Sequence, residues 1–500
     1  MSSGKKKQRS QNPEPTTNSQ QNVETLLSKL LPLLPENEHQ TLLEELKQPL
    51  RPALRINPLK QKPKENLEVA LSERYDWVLT PINYCRGGFW QETENNTSLG
   101  QTWEHRLGRY YVQDASSMLP VELFDFSEIE EPLMLDLAAS PGGKSTHMIS
   151  KTLDKGLLIA NDVSRDRIQA LRVVLQNWGG LRHAITQFQG ERFGQWFPNT
   201  FDAILLDAPC SMQNLRPTEA RPMRTISQRE ENTLAKRQRK LLESALFAAK
   251  PGGQIVYATC TLSPEEDEMV LDWLISKYPN SVQVEDLSQS LNIHAPGMIA
   301  YQNQYFDPGV KNAFRLWPHR LNSSGFFCVR LTKVDSVRGK TREMPTFAIE
   351  NTDFRPLDQQ TKNKLMDFYK QFRLDLSERY LQKGLSLWQR KDTIYLFPNR
   401  YFYEIGYLPL RSLGSPIAQV AVDEFIPDHY FLSRCFYETR LPSTIIKNNA
   451  SEEWQAGNRI PSPSGIRKIH LLGTENGEFL GVGKRSGNEL KNLLPRRMIL

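Results

Sequence analysis

Two cysteines, Cys210 and Cys260, are the residues of this 500-residue chain whose type and placement most favour covalent chemistry. Cys210 lies in the motif Asp-Ala-Pro-Cys-Ser at 207–211, and Cys260 lies in Thr-Cys-Thr at 259–261. Each motif follows an apolar run of strand length, so the two thiols would meet at one edge of a shared sheet. A thiolate is a strong nucleophile that forms transient covalent adducts. The sequence therefore predicts a site of nucleophilic catalysis at that edge.

Four apolar runs share one pattern and end in small, acidic or sulfur-bearing residues, at 133–138, 157–162, 203–207 and 255–260. Continuous apolar runs are typical of strands buried on both faces of a parallel sheet. Helical stretches separate them, among them 165–178 and 230–250. The alternation predicts a doubly wound, Rossmann-like α/β domain, which binds its ligands beyond the carboxyl ends of the strands. Asp162, Asp207, Cys210 and Cys260 all fall at those ends.

The loop after the first of these strands contains Pro141-Gly142-Gly143-Lys144 and opens a helix. Glycines allow close approach of the backbone to a ligand, and a helix start offers unpaired N–H donors. The spacings of the dinucleotide fingerprint and of the phosphate loop are both missing. Asp162 ends the next strand, where an acidic residue commonly holds ribose hydroxyls. These features indicate a nucleoside ligand without a phosphate at the loop, with an ordinary strand–helix turn as an equal alternative.

A thiolate that adds to C6 of a pyrimidine makes C5 nucleophilic toward an electrophilic methyl group. C5 then loses its proton, and elimination of the thiol releases the product. Such chemistry needs a thiol of lowered pKa and an acid to offset charge on the ring, and we predict Cys260 and Asp207 in these functions. Ser263 and Glu266, with Pro264 between them, predict a capping box that starts the next helix just after Cys260.

The alternative is that the cysteines are small core residues, because unpaired cysteine is among the most buried residue types. We adopt that interpretation for Cys85, Cys328 and Cys435. A metal site is not predicted, because Cys210 and Cys260 are far apart in sequence, without a Cys-x-x-Cys motif or a histidine cluster nearby.

Residues 136–144, 207–211 and 258–262 resemble, in type, order and spacing, the motifs of the Nop/Sun family of RNA cytosine-C5 methyltransferases. Residues 54–60 and 111–117 resemble the family's N-terminal extension, residues 325–331 its last catalytic-domain strand, and residues 481–496 the end of its long bacterial members. The resemblance covers nearly all of the chain beyond residue 20. It implies a class I methyltransferase domain with S-adenosylmethionine as cofactor.

The resemblance also implies roles for individual residues. Cys260 would attack C6, Cys210 would assist release of the methylated product, and Asp207 and Lys144 would lie near the target base. Asp136 would brace the loop. The cofactor would be held by Ala138, Ala139, Ser140, Pro141, Gly142, Gly143, Lys144, Asp162 and Asp207.

Two positions depart from the family pattern. The family usually continues Cys-Ser-Gly with a second glycine, whereas Ser211 is followed here by Met212, Gln213 and Asn214, which predicts a bulkier, less flexible loop beside the base pocket. Gln189 stands where the family tends to have aspartate, and it keeps hydrogen bonding to an adenine edge without the charge. Both departures leave the chemistry intact and bear on target choice or cofactor affinity.

Composition and the family resemblance together predict five regions, of which the methyltransferase and PUA-like domains are what the resemblance implies. They are a disordered basic tail (1–20), an N-terminal accessory RNA-binding region (21–105), the methyltransferase domain (106–335), a C-terminal intermediate α+β domain (346–415) and a PUA-like RNA-binding domain (420–500). Helical periodicity occurs at 23–34, 38–46 and 359–382, and strand-like alternation at 386–407. The aromatic residues of that last stretch are interpreted as core, with a base-stacking platform as the less common alternative.

The net charge of +6 is moderately basic. Basic residues outnumber acidic ones at 216–240, which predicts either phosphate contacts beside the site or a solvated helix face. No secretory signal or apolar run of membrane-spanning length, roughly 18 residues, is present, so we expect a cytoplasmic monomer with reduced thiols and no membrane partner. The Lys5-Lys6-Lys7 run is interpreted as a flexible tail rather than a nuclear address, and the glycosylation match at 95–97 as meaningless.

The resemblance implies formation of 5-methylcytidine in RNA, with small-subunit (16S) ribosomal RNA as the favoured substrate, and the target is expected to be an unpaired or flipped-out cytidine. Three alternatives stay open: methylation of transfer RNA by the same chemistry, an RNA-binding assembly factor that has lost catalysis, and a methyltransferase for another acceptor in which the cysteines are structural.

Overall fold

The computed structural model describes residues 17–92, 97–217, 224–337, 339–345, 353–406, 408–422, 424–439, 441–463 and 468–499. The predicted disordered tail and its lysine run therefore lie outside the described residues, apart from residues 17–20, which are helical and correct the predicted end of that tail. Asn95 and Asn96 of the glycosylation match lie outside them too.

The N-terminal part of the chain begins with a helical hairpin, α1 (Thr17–Leu30) and α2 (Glu36–Glu45), joined through a short 3-10 turn. Leucines at helical spacing, among them Leu26 and Leu30, form the buried face of α1. The next elements are β1 (Ala53–Ile56), α3 (Leu67–Tyr75), β2 (Leu79–Pro81), β3 (Gly88–Gln91), α4 (Trp103–Arg106), β4 (Tyr110–Val112) and α5 (Leu119–Glu122). The four strands form an antiparallel sheet in the order β2-β3-β1-β4.

The central domain alternates strands and helices, as the apolar runs predict. Its first half contains β5 (Leu133–Asp136), α6 (Gly143–Lys151), β6 (Leu157–Asn161), α7 (Arg165–Trp178), β7 (His183–Thr186), α8 (Phe193–Trp196), β8 (Phe201–Asp207), α9 (Gln228–Ala248) and β9 (Ala249–Thr259). Its second half contains α10 (Glu268–Lys277), β10 (Val282–Val284), α11 (Ser288–Leu291), β11 (Ala300–Tyr301), β12 (Gln304–Tyr305), β13 (Phe314–Leu316), α12 (Pro318–Leu321) and β14 (Phe326–Lys333).

The central sheet has the order β10-β14-β9-β8-β5-β6-β7, with parallel pairing from β9 to β7 and antiparallel β14 beside β9. The chain moves outward from β5 through β6 to β7, then returns to place β8 on the other side of β5. The strand order therefore reverses between β5 and β8, and in such sheets ligands bind in the crevice beyond the carboxyl ends at this point. The doubly wound, Rossmann-like fold class of this domain is confirmed.

One helix start was predicted wrongly. Residues 264–267 form turns, and α10 begins only at Glu268. Ser263 does not cap the helix, because its Oγ contacts Glu231 and Glu265. The Glu266 carboxylate is directed instead to the Ser211 N–H, 3.1 Å away. The side chains of Ser263 and Glu266 therefore bond to other parts of the protein and do not form the predicted capping box.

The C-terminal part begins with β15 (Phe354–Pro356), α13 (Gln359–Lys370), α14 (Leu376–Arg379), β16 (Leu385–Arg390), β17 (Thr393–Pro398), α15 (Arg400–Glu404), β18 (Ser412–Leu413), β19 (Ser415–Ala421) and β20 (Glu424–Pro427). The periodicity at 359–382 is thus divided between two helices. The strand-like pattern at 386–407 ends in helix α15, which corrects the prediction there. β18 pairs with β7 and so covers an edge of the central sheet.

The last segment consists of α16 (His429–Thr439), β21 (Thr444–Ile446), α17 (Asn448–Gln455), β22 (Ile460–Pro461), β23 (Ile469–Thr474), β24 (Phe479–Ser486) and β25 (Glu489–Asn492). Its strands form a mixed sheet in the order β21-β23-β24-β25-β22. Arg109 of the N-terminal part is fully buried against Glu478 of this segment, with both Glu478 oxygens 3.1 Å from the guanidinium. The C-terminal segment is therefore attached firmly to the N-terminal one.

The basic residues of the motif at 54–60 are buried and face the protein. Arg55 donates to the Gly143 carbonyl at 3.1 Å and to Thr146, so it holds the start of α6. Lys60 is fully buried, and its Nζ donates to the carbonyls of Leu107 and Asn177 at 2.8 and 2.7 Å. This part of the N-terminal extension therefore joins the protein's own segments and is unavailable to RNA phosphates.

Burial lowers the pKa of Lys60 to about 7. A neutral amine has two N–H donors, which matches its two carbonyl partners. The unfolded chain holds its proton up to about pH 10, so stability should rise with pH between about 7 and 10, by up to about 1.4 kcal/mol per unit. We expect the advantage of the wild type over Lys60→Met in thermal unfolding temperature to increase from pH 7 to pH 9. Lys491→Met, at an exposed lysine, should show no such trend, and a constant advantage would contradict a neutral Lys60.

Candidate active site

Lys144 and Asp207 face each other across the reversal point of the central sheet. Lys144 lies in the first turn of α6, which follows β5, and Asp207 ends β8. The Lys144 Nζ is 2.8 Å from the Asp207 Oδ2 and 2.9 Å from the Ser117 Oγ. Burial by itself would lower the pKa of Lys144, but Asp207, and after it the Cys260 sulfur, raises that pKa. The site therefore holds a charged ammonium group beside a carboxylate and a thiol.

The two cysteines lie in contact. Asp207 pairs with Ala258 in the register of β8 and β9, so Cys210 and Cys260 follow adjacent strand ends. Their sulfur atoms are 3.2 Å apart, and both side chains are partly buried. The hydrogen bond with Cys260, and then burial, raises the pKa of Cys210 well above its usual value. Cys210 is therefore a protonated partner, and Cys260 can accept its S–H.

Polar contacts lock the loops of the two cysteines together. The Ser211 Oγ donates to the Thr261 Oγ1 at 3.1 Å. The Glu266 carboxylate accepts the Ser211 N–H and the Gln238 side chain of α9, at 3.1 and 2.8 Å. Because one carboxylate holds both loops and a helix, neither thiol moves independently.

Arg315 is a buried support for the Cys260 loop that the sequence did not reveal. Its guanidinium forms a two-point ion pair with Glu268, at 2.7 and 2.5 Å, and donates to the Leu262 carbonyl at 2.9 Å. Asp267, whose pKa burial raises well above its usual value, accepts the Thr259 hydroxyl. Nothing in the local sequence around Arg315 indicates these contacts, because its partners are about fifty residues earlier in the chain.

The N-terminal hairpin packs on the same two loops. Leu215 and Leu262, which follow the two cysteines, share an apolar cluster with Leu26, Leu30, Leu34 and Leu42. Arg216 bonds to Glu45 at 2.6 Å, and Lys29 bonds to Glu231 at 2.6 Å. The basic segment 216–240 predicts phosphate contacts, but for Arg216 this prediction is wrong. This residue is only 7% exposed and is paired with Glu45.

The glycine loop is shaped by its neighbours. Gly142 has a φ of +115°, which disfavours other residues, and a Cβ at Gly143 would lie 3.1 Å from the Tyr111 ring. The glycines thus serve packing of the loop as well as any ligand. Ser140 carries a buried Oγ that has no hydrogen-bond partner among the described residues, which is a place for a ligand group.

The remaining residues of the predicted cofactor site surround this loop. Asp162 is 2% exposed, and its oxygens accept the N–H groups of Ser140 and Ser164 at 3.2 and 2.8 Å. Asp136 accepts the Ser145 hydroxyl at 2.6 Å, and burial raises its pKa to about 7, so it supports the loop from below. Gln189 is exposed in the loop after β7.

A possible ligand set of Cys85, Glu122 and His147 occurs away from the thiols. Lys151 bonds to the same Glu122 at 2.8 Å, and burial, followed by the nearby Arg55, lowers the pKa of His147 to about 4. The positive charges of Lys151 and Arg55 oppose binding of a metal cation here. We therefore interpret Cys85, Glu122 and His147 as a buried hydrogen-bond cluster.

The sequence was then compared with known proteins. Residues 125–332 match the family described as 16S rRNA methyltransferase RsmB/F, and residues 24–115 match the N-terminal domain of 16S rRNA methyltransferase RsmF. Ribosomal RNA small subunit methyltransferase F of Erwinia tasmaniensis is 32% identical over 93% of this chain and 94% of its own length. The chain belongs to the RsmB/F methyltransferase family. The Vibrio vulnificus protein of the same name is 31% identical over 95% of this chain and 97% of its own.

Solved structures share the fold of a large part of this chain. A methyltransferase homolog protein from Pyrococcus horikoshii has a TM-score of 0.51 and 27% identity, and covers 62% of this chain and 99% of its own. NSun6 from the same organism, solved with SFG, has a TM-score of 0.50 at 21% identity over 64% of this chain and 98% of its own, which shows the shared fold.

Membership in the RsmB/F family confirms two predictions from the sequence. This RsmB/F protein is an RNA methyltransferase, and its cofactor is S-adenosylmethionine. Among the described residues, no helix is both long and apolar enough to cross a membrane.

Proposed function

We propose that this protein methylates C5 of a cytidine in 16S ribosomal RNA by way of a covalent adduct between Cys260 and C6. The observation that carries the proposal is the 3.2 Å contact of the Cys260 and Cys210 sulfurs beside the Lys144–Asp207 pair. One thiol forms the adduct, a second lies close enough to take part in its breakdown, and the Lys144 ammonium group, held by the Asp207 carboxylate, stabilises negative charge on the ring. The names of the relatives supply the RNA class.

S-adenosylmethionine would be held by residues 138–144, with Asp162 and Asp207 completing its site. The unpartnered Ser140 Oγ and the start of α6 offer polar groups to such a ligand. Asp162 keeps lone pairs for ribose hydroxyls beside its two backbone bonds. When bound, the cofactor supplies an electrophilic methyl group.

The residues of this chain carry the remaining steps. The Lys144 ammonium group, held in place by Asp207, stabilises the negative charge that develops on the ring as the Cys260 thiolate bonds to C6 and the electron pair of the C5–C6 double bond becomes available at C5. After C5 has received the methyl group, a base removes its proton. The electron pair of that C–H bond re-forms the double bond, and the Cys260–C6 bond breaks to return the thiolate. We assign assistance in this last step to Cys210, because its sulfur lies against the leaving sulfur.

The flanking regions would supply RNA affinity. We propose that the C-terminal sheet β21–β25 is a PUA-like module whose Lys491, Arg496 and Arg497 face the RNA backbone, and that the N-terminal hairpin and sheet form an accessory region on the catalytic domain. Since Cys260 must be a reduced thiol to react, the proposed place of action is the cytoplasm.

Bisulfite sequencing of total RNA from cells with and without this gene tests the function. We expect one cytidine of 16S ribosomal RNA to lose its 5-methyl mark, and complementation with the wild-type gene, but not with a Cys260→Ala version, to restore it. A lost transfer RNA mark instead would correct the substrate while keeping the chemistry. No change in any RNA would overturn the proposal and favour a non-catalytic assembly factor. Purified 16S RNA and small subunits from the deletion strain then show which form is methylated.

A further inference from the structure

Met212 is an exposed apolar residue two positions after Cys210. It is 47% exposed, and the other methionines among the described residues are all buried or partly buried. An exposed apolar side chain by itself is ordinary. Its position beside the reactive thiols and its backbone conformation make this one unusual.

The backbone of Met212 has a φ of +59°, in the left-handed region that disfavours residues with a side chain. The family pattern described above has glycine here, which accepts this φ freely. The chain therefore keeps the strained backbone geometry and adds a long apolar side chain to it. Strain of this kind persists where the surroundings enforce it, and it concentrates at sites that bind or react.

The surroundings do enforce the loop conformation. The Leu262 N–H donates to the Gln213 carbonyl at 3.1 Å, and the Gly325 N–H donates to the Asn214 carbonyl at 2.8 Å. Leu215 is buried in the cluster with the N-terminal hairpin. The Met212 loop is therefore bonded to the Cys260 loop and to the residue before β14, and it packs on the N-terminal hairpin. Met212 thus lies on a rigid support.

We propose that Met212 is an RNA-contacting residue whose thioether packs on a base of the bound RNA next to the reactive cysteines. A cytidine that reacts at C6 must leave its stack, which exposes base faces that an apolar side chain can cover. The polarisable sulfur of methionine interacts favourably with aromatic rings. The inference rests on the proposed function, because it requires that an RNA base enters this site.

Substitutions of Met212 can separate the loss of its RNA contact from any effect of its strained backbone conformation. Met212→Gly removes the thioether and also relieves the positive φ, so its unfolding temperature should equal or exceed that of the wild type. Its single-turnover kcat/KM for the RNA should nevertheless fall by about tenfold, the equivalent of about 1.4 kcal/mol. Met212→Leu keeps an apolar side chain and should recover most of the rate. Leu153→Gly, which removes a 56% exposed apolar side chain at a φ of +50° from the turn between α6 and β6, serves as the matched control and should leave the rate unchanged.

A second measurement does not depend on turnover. Peroxide oxidises accessible methionines to the sulfoxide, and mass spectrometry reports each position separately. We expect Met212 to oxidise readily in the protein alone and several-fold more slowly with saturating substrate RNA.

Equal oxidation with and without RNA, or a Met212→Gly variant as active as the wild type, would overturn the role of Met212 while wild-type methylation still stands. Absence of wild-type methylation would instead overturn the function on which the inference rests.

Discussion

Cys260→Ala is expected to abolish methyl transfer to RNA, with a loss of at least about 10³-fold in kcat. The thiol is the nucleophile in the proposed reaction, and Cys210, the other thiol of the site, is assigned to product release rather than to attack on C6. Affinity for S-adenosylmethionine should stay within about twofold, because the proposed cofactor residues lie in the loops after β5 and β6, at the start of α6 and at the end of β8 rather than on the Cys260 loop. Mass spectrometry of nucleosides measures the first quantity and calorimetric titration the second.

The control for this prediction is Cys435→Ala, which removes a buried thiol of α16 in the C-terminal segment and should keep the methylation rate. Turnover in Cys260→Ala at a rate near the wild type would show that the cysteines are structural and that the acceptor is not activated through C6. A parallel loss of cofactor affinity would indicate that the substitution disturbed the fold instead, because the loop is tied to α9 and Arg315.

Cys210→Ala is expected to leave adduct formation intact and to slow its breakdown by about 10²- to 10³-fold. Cys260 retains its place beside Lys144, but the sulfur 3.2 Å away that we assign to product release is gone. The variant should accumulate on substrate RNA as a complex that survives denaturing gel electrophoresis, which the wild type should not.

The double variant Cys210→Ala/Cys260→Ala tests whether that complex is the proposed adduct. It should form none, because the bond to C6 is made by Cys260. A denaturation-resistant complex in the double variant would mean that another nucleophile reacts. Normal turnover by Cys210→Ala with no complex would remove Cys210 from the release step.

The rigidity of the site has a consequence for both experiments. Each cysteine loop is held by the other through Ser211 and Thr261, and by the N-terminal hairpin through Leu215 and Leu262. Replacement of cysteine by alanine removes only the thiol group and leaves all of these contacts in place. The expected losses therefore report chemistry rather than disorder of the loops.

The sequence by itself determined the parallel strands and the elements that end at the site. Continuous apolar runs of five or six residues are typical of strands in a sheet that is covered on both faces. Asp207, Cys210 and Cys260 lie at or just after the ends of such runs. The resemblance of motifs 136–144, 207–211 and 258–262 predicted the cofactor and the methyltransferase class, and both are confirmed by the family comparisons.

Only the tertiary structure decided how the site is supported, because its contacts join residues far apart in sequence. Arg315 reaches Glu268 and Leu262, the hairpin covers loops two hundred residues later, and Glu266 serves Ser211 instead of capping a helix. Local pattern cannot reveal such contacts, since the energy of a buried charge depends on partners that folding brings together. The strained φ of Met212 has the same origin: hydrogen bonds from Leu262 and Gly325, remote in the chain, impose a conformation that its own sequence disfavours.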